Sequence, residues 1–158
     1  MLDVKIGKIN MIIIGIYLPP RPLVGAYQQL LEEELNHICT WASLQRDAVT
    51  VIGDLNLDRL RPQRKEGKLL LDLEMVQGFE CLTKQPTRLD SNGTTKTATL
   101  IDVLLTNRPD LFIKGGVFDP ALSDHMLIYG ILKEKARKYS GKIIHFRSHK
   151  NWQEKVSQ

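Results

Sequence analysis

Apolar runs separated by polar stretches define most of the elements that this sequence predicts. Six runs are typical of strands: residues 9–18, 48–52, 79–83, 98–106, 111–118 and 126–132. The first, second and fourth runs are almost continuously apolar. This pattern is typical of strands that are covered on both faces of a sheet.

Two segments carry apolar residues at helical spacing and predict helices. The first extends from about residue 24 to 44, and the second includes residues 69–76, with Gly78 as its C-terminal stop. Charged residues 63–68 predict a loop before the second helix, and polar residues 87–97 predict a turn between strands. This order of strands and helices predicts a mixed α/β sheet architecture.

Composition places the chain among ordinary globular proteins, with an uneven charge. It has 158 residues, 42% hydrophobic and 25% charged, and a net charge of +4. Residues 133–158 hold eight basic and two acidic side chains, so residues 1–132 are slightly acidic. We expect a compact domain over 1–132 and a basic tail over 133–158. Such a tail suits contact with nucleic-acid phosphates, and a solvated linker is an equal alternative.

Cysteine usage and hydropathy indicate which cellular compartment the chain suits. Cys39 and Cys81 have no metal-ligand spacing and indicate two inert thiols in a reduced compartment. No stretch is long enough to span a membrane. Residues 9–18 follow two lysines as a signal peptide would, but no small-residue cleavage site follows them. A buried strand is therefore the favoured interpretation.

Polar side chains interrupt the apolar runs at four places. Asp54 and Asn56 follow the second strand within Gly53-Asp54-Leu55-Asn56, and in an extended strand they would share one face. Asp102 lies inside the fourth run, where a carboxylate needs a partner. His125, in Ser123-Asp124-His125, offers that partner. Tyr17 closes the first strand.

These residue types suit a site that handles a phosphate and a cation. A histidine held by Asp102 has a fixed tautomer and can donate to a phosphate oxygen. Asp124 would be free to ligate Mg²⁺, and the Tyr17 phenol could bond a phosphate oxygen. Structural alternatives exist singly: a turn at Asp54, a backbone bond at Asp102, a strand cap at His125 and a core aromatic at Tyr17. Four together favour the functional interpretation.

The ordered motifs resemble the later part of the endonuclease/exonuclease/phosphatase superfamily. The closer resemblance is to the endonuclease domain of LINE-type non-LTR retrotransposons, especially jockey-like and chicken-repeat-like elements. The motifs are Ile16 to Pro20, Gly53 to Asn56, Pro86-Thr87-Arg88, Thr99 to Asp102 and Thr106-Asn107, Ser123-Asp124-His125, and Arg147-Ser148 with Lys150-Asn151. The last of these resembles the linker that leads toward a reverse transcriptase.

The resemblance implies a Mg²⁺- or Mn²⁺-dependent DNA endonuclease of intracellular, nuclear location. Asp54 would orient or deprotonate the attacking water, and Asn56 would position the phosphate or metal. Asp102 would pair with His125 at the scissile phosphate, and Tyr17 would contact phosphate. The metal ligands would be Asp124, Asp54 and Asn56.

The sequence departs from that family pattern in its first part. The family's earlier strands carry a catalytic-site Asn and a metal-binding Glu, and neither has a counterpart before Tyr17. We therefore expect a partial four-layered α/β sandwich without its N-terminal strands, with weakened metal binding and impaired nicking. The alternatives are an inactive remnant that binds nucleic acid through its tail, and a phosphatase of the same superfamily, which the Pro-Thr-Arg run disfavours.

Overall fold

The computed structural model describes residues 1–92 and 95–134. Its elements in chain order are β1 Leu2–Ile6, β2 Ile9–Tyr17, α1 Gly25–Gln45, β3 Ala48–Asp54, α2 Lys65–Gln77, β4 Glu80–Cys81, β5 Arg88–Asn92, β6 Thr95–Thr99, β7 Asp102–Thr106, a 3-10 turn Pro109–Leu111, β8 Phe112–Phe118 and β9 Leu127–Leu132. The basic tail expected over 133–158 falls almost entirely outside the described residues.

A five-stranded sheet organises the molecule, in the order β1-β2-β3-β7-β4. β2 and β3 run parallel, connected through α1, while β1, β7 and β4 pair antiparallel with their neighbours. Two separate antiparallel hairpins, β5–β6 and β8–β9, complete the described strands. The mixed α/β architecture that the sequence predicts is therefore confirmed.

Both faces of the central sheet are covered, which explains why its inner strands are almost continuously apolar. One set of side chains faces the two helices, and the alternating set faces β8–β9. The helix side includes Ile12, Ile14, Val49, Val51, Val103 and Leu105, and the β8–β9 side includes Ile9, Met11, Ala48, Leu104 and Phe112. Alternation along each strand thus decides which side of the sheet a residue serves.

The helices and most strands match the expected segments. Gly78 ends α2 in the left-handed conformation, with φ of 64°, as expected for a helix stop. Three expectations were too coarse. α2 begins at Lys65, inside the expected loop. The strand that was expected over 79–83 extends only over Glu80–Cys81. The polar stretch 87–97 lies largely in the strands of the hairpin β5–β6 and not only in a turn. β1, which the sequence analysis missed, pairs with β2.

The long run 98–106 is not one strand, because its centre bonds to other parts of the chain. Leu100 N donates to Asp58 Oδ1 at 3.1 Å, and Leu100 O accepts from Arg59 N at 3.0 Å. Ile101 O accepts from Leu55 N at 2.9 Å. These bonds end β6 at Thr99 and start β7 at Asp102, so Asp102 lies at a strand start and not inside one.

No described helix combines the length and apolarity that crossing a membrane requires.

Candidate active site

Three adjacent strands place polar side chains in one row at an end of the sheet. The pairing register sets Tyr17 beside Asp54 and Asp54 opposite Asp102. Residues that pair directly across strands project from the same face. Because Leu104 and Ile52 point toward β8–β9, the residues two positions away, Asp102 and Asp54, face that side as well. The row therefore opens toward the loop that leads into β9.

That loop carries His125, which contacts Asp102 as the sequence predicts. His125 Nδ1 lies 3.1 Å from Asp102 Oδ2 and 3.2 Å from Oδ1. An ionised carboxylate only accepts hydrogen bonds, so the ring carries its proton on Nδ1 when it bonds Asp102. The opposite ring nitrogen, Nε2, is then left for another partner. Asp102 is nearly buried and His125 is one third exposed, so the pair is reachable from solvent on its histidine side.

The ionisation of Asp54 is perturbed by its surroundings. Burial raises the pKa of Asp54 above its ordinary value, and the facing Asp102 carboxylate raises it further. A hydrogen bond from Asn56 N, together with the positive charges of His125 and Arg88, acts in the opposite direction without cancelling the rise. In the protein without a bound cation, the ionised form of Asp54 is thus less favourable than that of an ordinary aspartate.

Gly53 allows the strand end that carries Asp54 to lie close to β2. Its φ is 148°, and a Cβ at this position would lie 1.8 Å from Ile16 O. Only glycine accommodates both the positive φ and that contact. The glycine of Gly53-Asp54-Leu55-Asn56 is therefore a packing requirement of the site.

Asn56 does not share an extended strand with Asp54, in contrast to the expectation. β3 ends at Asp54, and Asn56 has a left-handed φ of 49°. Its backbone N–H donates to Asp54 Oδ1 at 2.9 Å, and its Nδ2 donates to Leu18 O at 2.7 Å. Asp54 therefore shapes a turn and also lies in the candidate site. The Asn56 amide connects the ends of β2 and β3.

Thr87 holds the two halves of the Asp102–His125 pair together. It is completely buried, and its Oγ1 accepts from Ile101 N at 3.1 Å and from Asp102 N at 3.0 Å. Its backbone O accepts from Met126 N at 2.7 Å, directly after His125. One residue therefore fixes the backbone on both sides of the pair.

Asp124 is not free, which corrects the expectation for this side chain. Arg88 Nε donates to Asp124 Oδ2 at 2.8 Å, and this bond lowers the pKa of Asp124. The carboxylate is half exposed and belongs to an ion pair. Arg88 also lies close enough to act on Asp54, so it brings positive charge to the same place.

Tyr17 lies in the row by its backbone but is not a core aromatic. Its side chain is 70% exposed at the end of β2. The phenol therefore remains accessible to a ligand beside Asp54.

The residues fit a hard divalent cation through oxygen ligands. Ligand atoms of Asp54, Asp102 and His125 lie within 4.8 Å of one another. The two carboxylates face each other and raise the free energy of the doubly ionised state, which a cation would lower. Mg²⁺ commonly uses one or two carboxylates and completes its shell with water and substrate phosphate. His125 Nδ1 is committed to Asp102, so the two aspartates are the fitting protein ligands.

Two residues of the site had no assigned role in the sequence analysis. Thr87 and Arg88 entered it only as part of the Pro-Thr-Arg resemblance. A threonine flanked by proline and arginine gives no pattern for a buried acceptor, because its partners at residues 101, 102 and 126 are distant in sequence.

Comparison with solved structures reveals similarity to the endonuclease domain of TRAS1, a telomere-specific non-LTR retrotransposon. The TM-score is 0.64 at 15% sequence identity, and the match covers 83% of this chain and 61% of that chain. This chain therefore spans less than two thirds of the length of that structure. No family model and no curated protein matches the chain.

The similarity and the element order together define the fold class. The chain has a mixed α/β fold like that of a retrotransposon endonuclease domain.

Proposed function

We propose that this protein hydrolyses phosphodiester bonds in DNA with a divalent cation. The observation that carries the proposal is the row formed by Tyr17, Asp54 and Asp102, with His125 bonded to Asp102. A half-buried acid–histidine pair beside a perturbed carboxylate is typical of hydrolytic sites. The fold similarity to a retrotransposon endonuclease domain supports DNA as the substrate class.

In this proposal the residues of the row and His125 act together at the phosphate. Asp54 orients the attacking water or accepts a proton from it. His125, held by Asp102 through Nδ1, presents Nε2 to a non-bridging phosphate oxygen. Tyr17 contacts the phosphate from the exposed end of β2. The water oxygen bonds to phosphorus as the bond from phosphorus to the 3′ oxygen breaks. The 3′ oxygen takes a proton from solvent water, which leaves a 3′-hydroxyl and a 5′-phosphate.

The cation, Mg²⁺ or Mn²⁺, would be held by Asp54 and Asp102. When bound, it supplies charge neutralisation at the phosphate and makes the attack by water easier. Asn56 supports this corner by fixing the turn after Asp54 and the end of β2. Asp124 pairs with Arg88 and is not in the cluster of ligand atoms that Asp54, Asp102 and His125 form. We infer weaker metal binding and slower nicking than a site with a further acidic ligand would give.

A supercoiled-plasmid nicking assay tests the proposal. Wild type with Mg²⁺ should convert supercoiled DNA to the open circle, and EDTA should stop the conversion. His125→Ala should reduce the rate on the order of a hundredfold or more, as for loss of an acid–base group. His37→Ala is the matched control, because His37 lies exposed on α1 away from the site. If wild type nicks no faster than His125→Ala, hydrolysis by this site is excluded.

A second candidate function is nucleic-acid binding without hydrolysis. The Arg88–Asp124 ion pair favours it, because it occupies the carboxylate that the family resemblance assigns to the metal. Residues 133–158 carry the basic excess for such binding. This candidate predicts DNA affinity that falls steeply with salt and is lost when 133–158 are deleted, with no nicking in Mg²⁺. Salt-insensitive binding would contradict it.

A nuclear location and an association with a reverse transcriptase belong to the same proposal. They follow only if the endonuclease assignment is correct.

A further inference from the structure

The edge strand β1 offers a pairing surface that is complementary to itself. Within the described part of the chain, β1 pairs with β2 on one side and with no strand on the other. An edge strand exposes unpaired backbone N–H and C=O groups, which can pair with another chain. β1 reads Leu2-Asp3-Val4-Lys5-Ile6.

An antiparallel copy of β1 satisfies this sequence in one register. With Val4 opposite Val4, Asp3 of each copy faces Lys5 of the other, and Leu2 faces Ile6. Opposite charges that face each other across strands stabilise a pair, and like charges destabilise it. The two-fold symmetry repeats each favourable pair twice, as in an isologous dimer.

We propose that two copies of this chain associate through antiparallel β1–β1 pairing, which joins their central sheets into one. The occupant of the β1 edge is therefore a second copy of this chain. The inference does not depend on the proposed function.

Apolar side chains border the seam on both faces of the sheet. On the side of β8–β9, Leu2 is 64% exposed. On the helix side, a cleft of about 340 Å³ beside β1 is lined by Met1, Asp3, Ile12, Trp41, Gln45 and Arg46. Met1 and Trp41 are about half exposed there. Dimer formation would remove part of this apolar surface from water, which favours association.

The charged side chains of β1 also fit a shared network. Asp3 forms an ion pair with Arg46 of its own chain, and both side chains remain about half exposed. Lys5 is exposed on the same side of the strand. In the dimer, Asp3 lies between Arg46 of its own chain and Lys5 of the second copy, so each carboxylate has two cationic neighbours.

Sedimentation-velocity ultracentrifugation of the full chain over a concentration series tests the proposal. Wild type should show a concentration-dependent monomer–dimer equilibrium. Asp3→Lys and Lys5→Asp should each weaken the dimer on the order of tenfold or more, because each places two like-charge pairs in the seam. An equimolar mixture of these two variants should form a heterodimer, because the two lysines that one variant carries in β1 then face the two aspartates of the other.

Arg46→Gln is the matched control, since it removes the intramolecular ion pair and leaves the seam charges intact. It should retain the dimer, and circular dichroism should show that all variants keep the wild-type fold. A wild type that stays monomeric at every concentration overturns the proposal. A dimer that both charge variants leave unchanged, or a mixture without heterodimer preference, overturns it as well.

Discussion

The Thr87 hydroxyl is a single buried group whose removal should be measurable in stability. Thr87→Val keeps the shape of the side chain and removes the acceptor. Two backbone donors, Ile101 N and Asp102 N, then lose their partner in a buried place. Each unsatisfied buried donor costs about 1–3 kcal/mol. We therefore expect a loss of about 2–6 kcal/mol in the free energy of unfolding.

Urea unfolding followed by circular dichroism measures this loss, and Thr87→Ser is its control. Serine keeps the oxygen and lacks one methyl group, so it should cost about 1 kcal/mol. The contrast between the two variants separates the acceptor from the packing. If valine costs less than about 1 kcal/mol, or if serine and valine cost the same, the two hydrogen bonds do not hold this part of the chain.

Two further predictions concern the end of β3. Gly53→Ala should destabilise the protein by about 3 kcal/mol or more in urea unfolding, because its Cβ would overlap Ile16 O and its φ is positive. Gly25 is the control, because it also has a positive φ but its Cβ would lie in open space, so Gly25→Ala should cost only about 1–2 kcal/mol. Equal losses of stability in the two variants would refute the close-contact argument. Asp54→Asn tests the raised pKa of Asp54. At this side chain the folded protein binds a proton more tightly than the unfolded chain does. The stability of the wild type therefore falls as pH rises from the ordinary aspartate pKa of about 3.9 through the raised pKa. The free energy of unfolding of the variant should therefore rise relative to that of the wild type as pH rises over that window. A difference that does not change with pH would show that the pKa of Asp54 is not raised.

Local pattern was sufficient for the elements and for the types of residue in the site. Continuous apolar runs identify β2 and β3 as covered strands, since a strand buried on both faces has no polar side to show. A carboxylate in an apolar segment requires a partner, and this requirement led from Asp102 to His125 before any contact was known. Both conclusions depend only on which segments are buried, and the pattern of apolar residues predicts this.

Long-range contacts decided what the sequence misplaced. The break before Asp102 arises from bonds to Leu55, Asp58, Arg59 and Thr87, and no local pattern records them. Asn56 bonds Leu18 O through the close approach of two strands, which a strand pattern does not contain. Asp124 pairs with Arg88 across 36 positions of sequence.

The apolar and polar pattern thus indicates which residues need partners, because the cost of burying a polar group depends on the residue and its apolar neighbours. The sequence also indicated one partner, His125 for Asp102, whereas the other contacts of the site become visible only in the folded chain. Strand register places Tyr17, Asp54 and Asp102 in one row, and Thr87 joins that row to the loop of His125. Register and loop docking depend on the whole sheet, because a shift of one residue would turn these side chains to its other face.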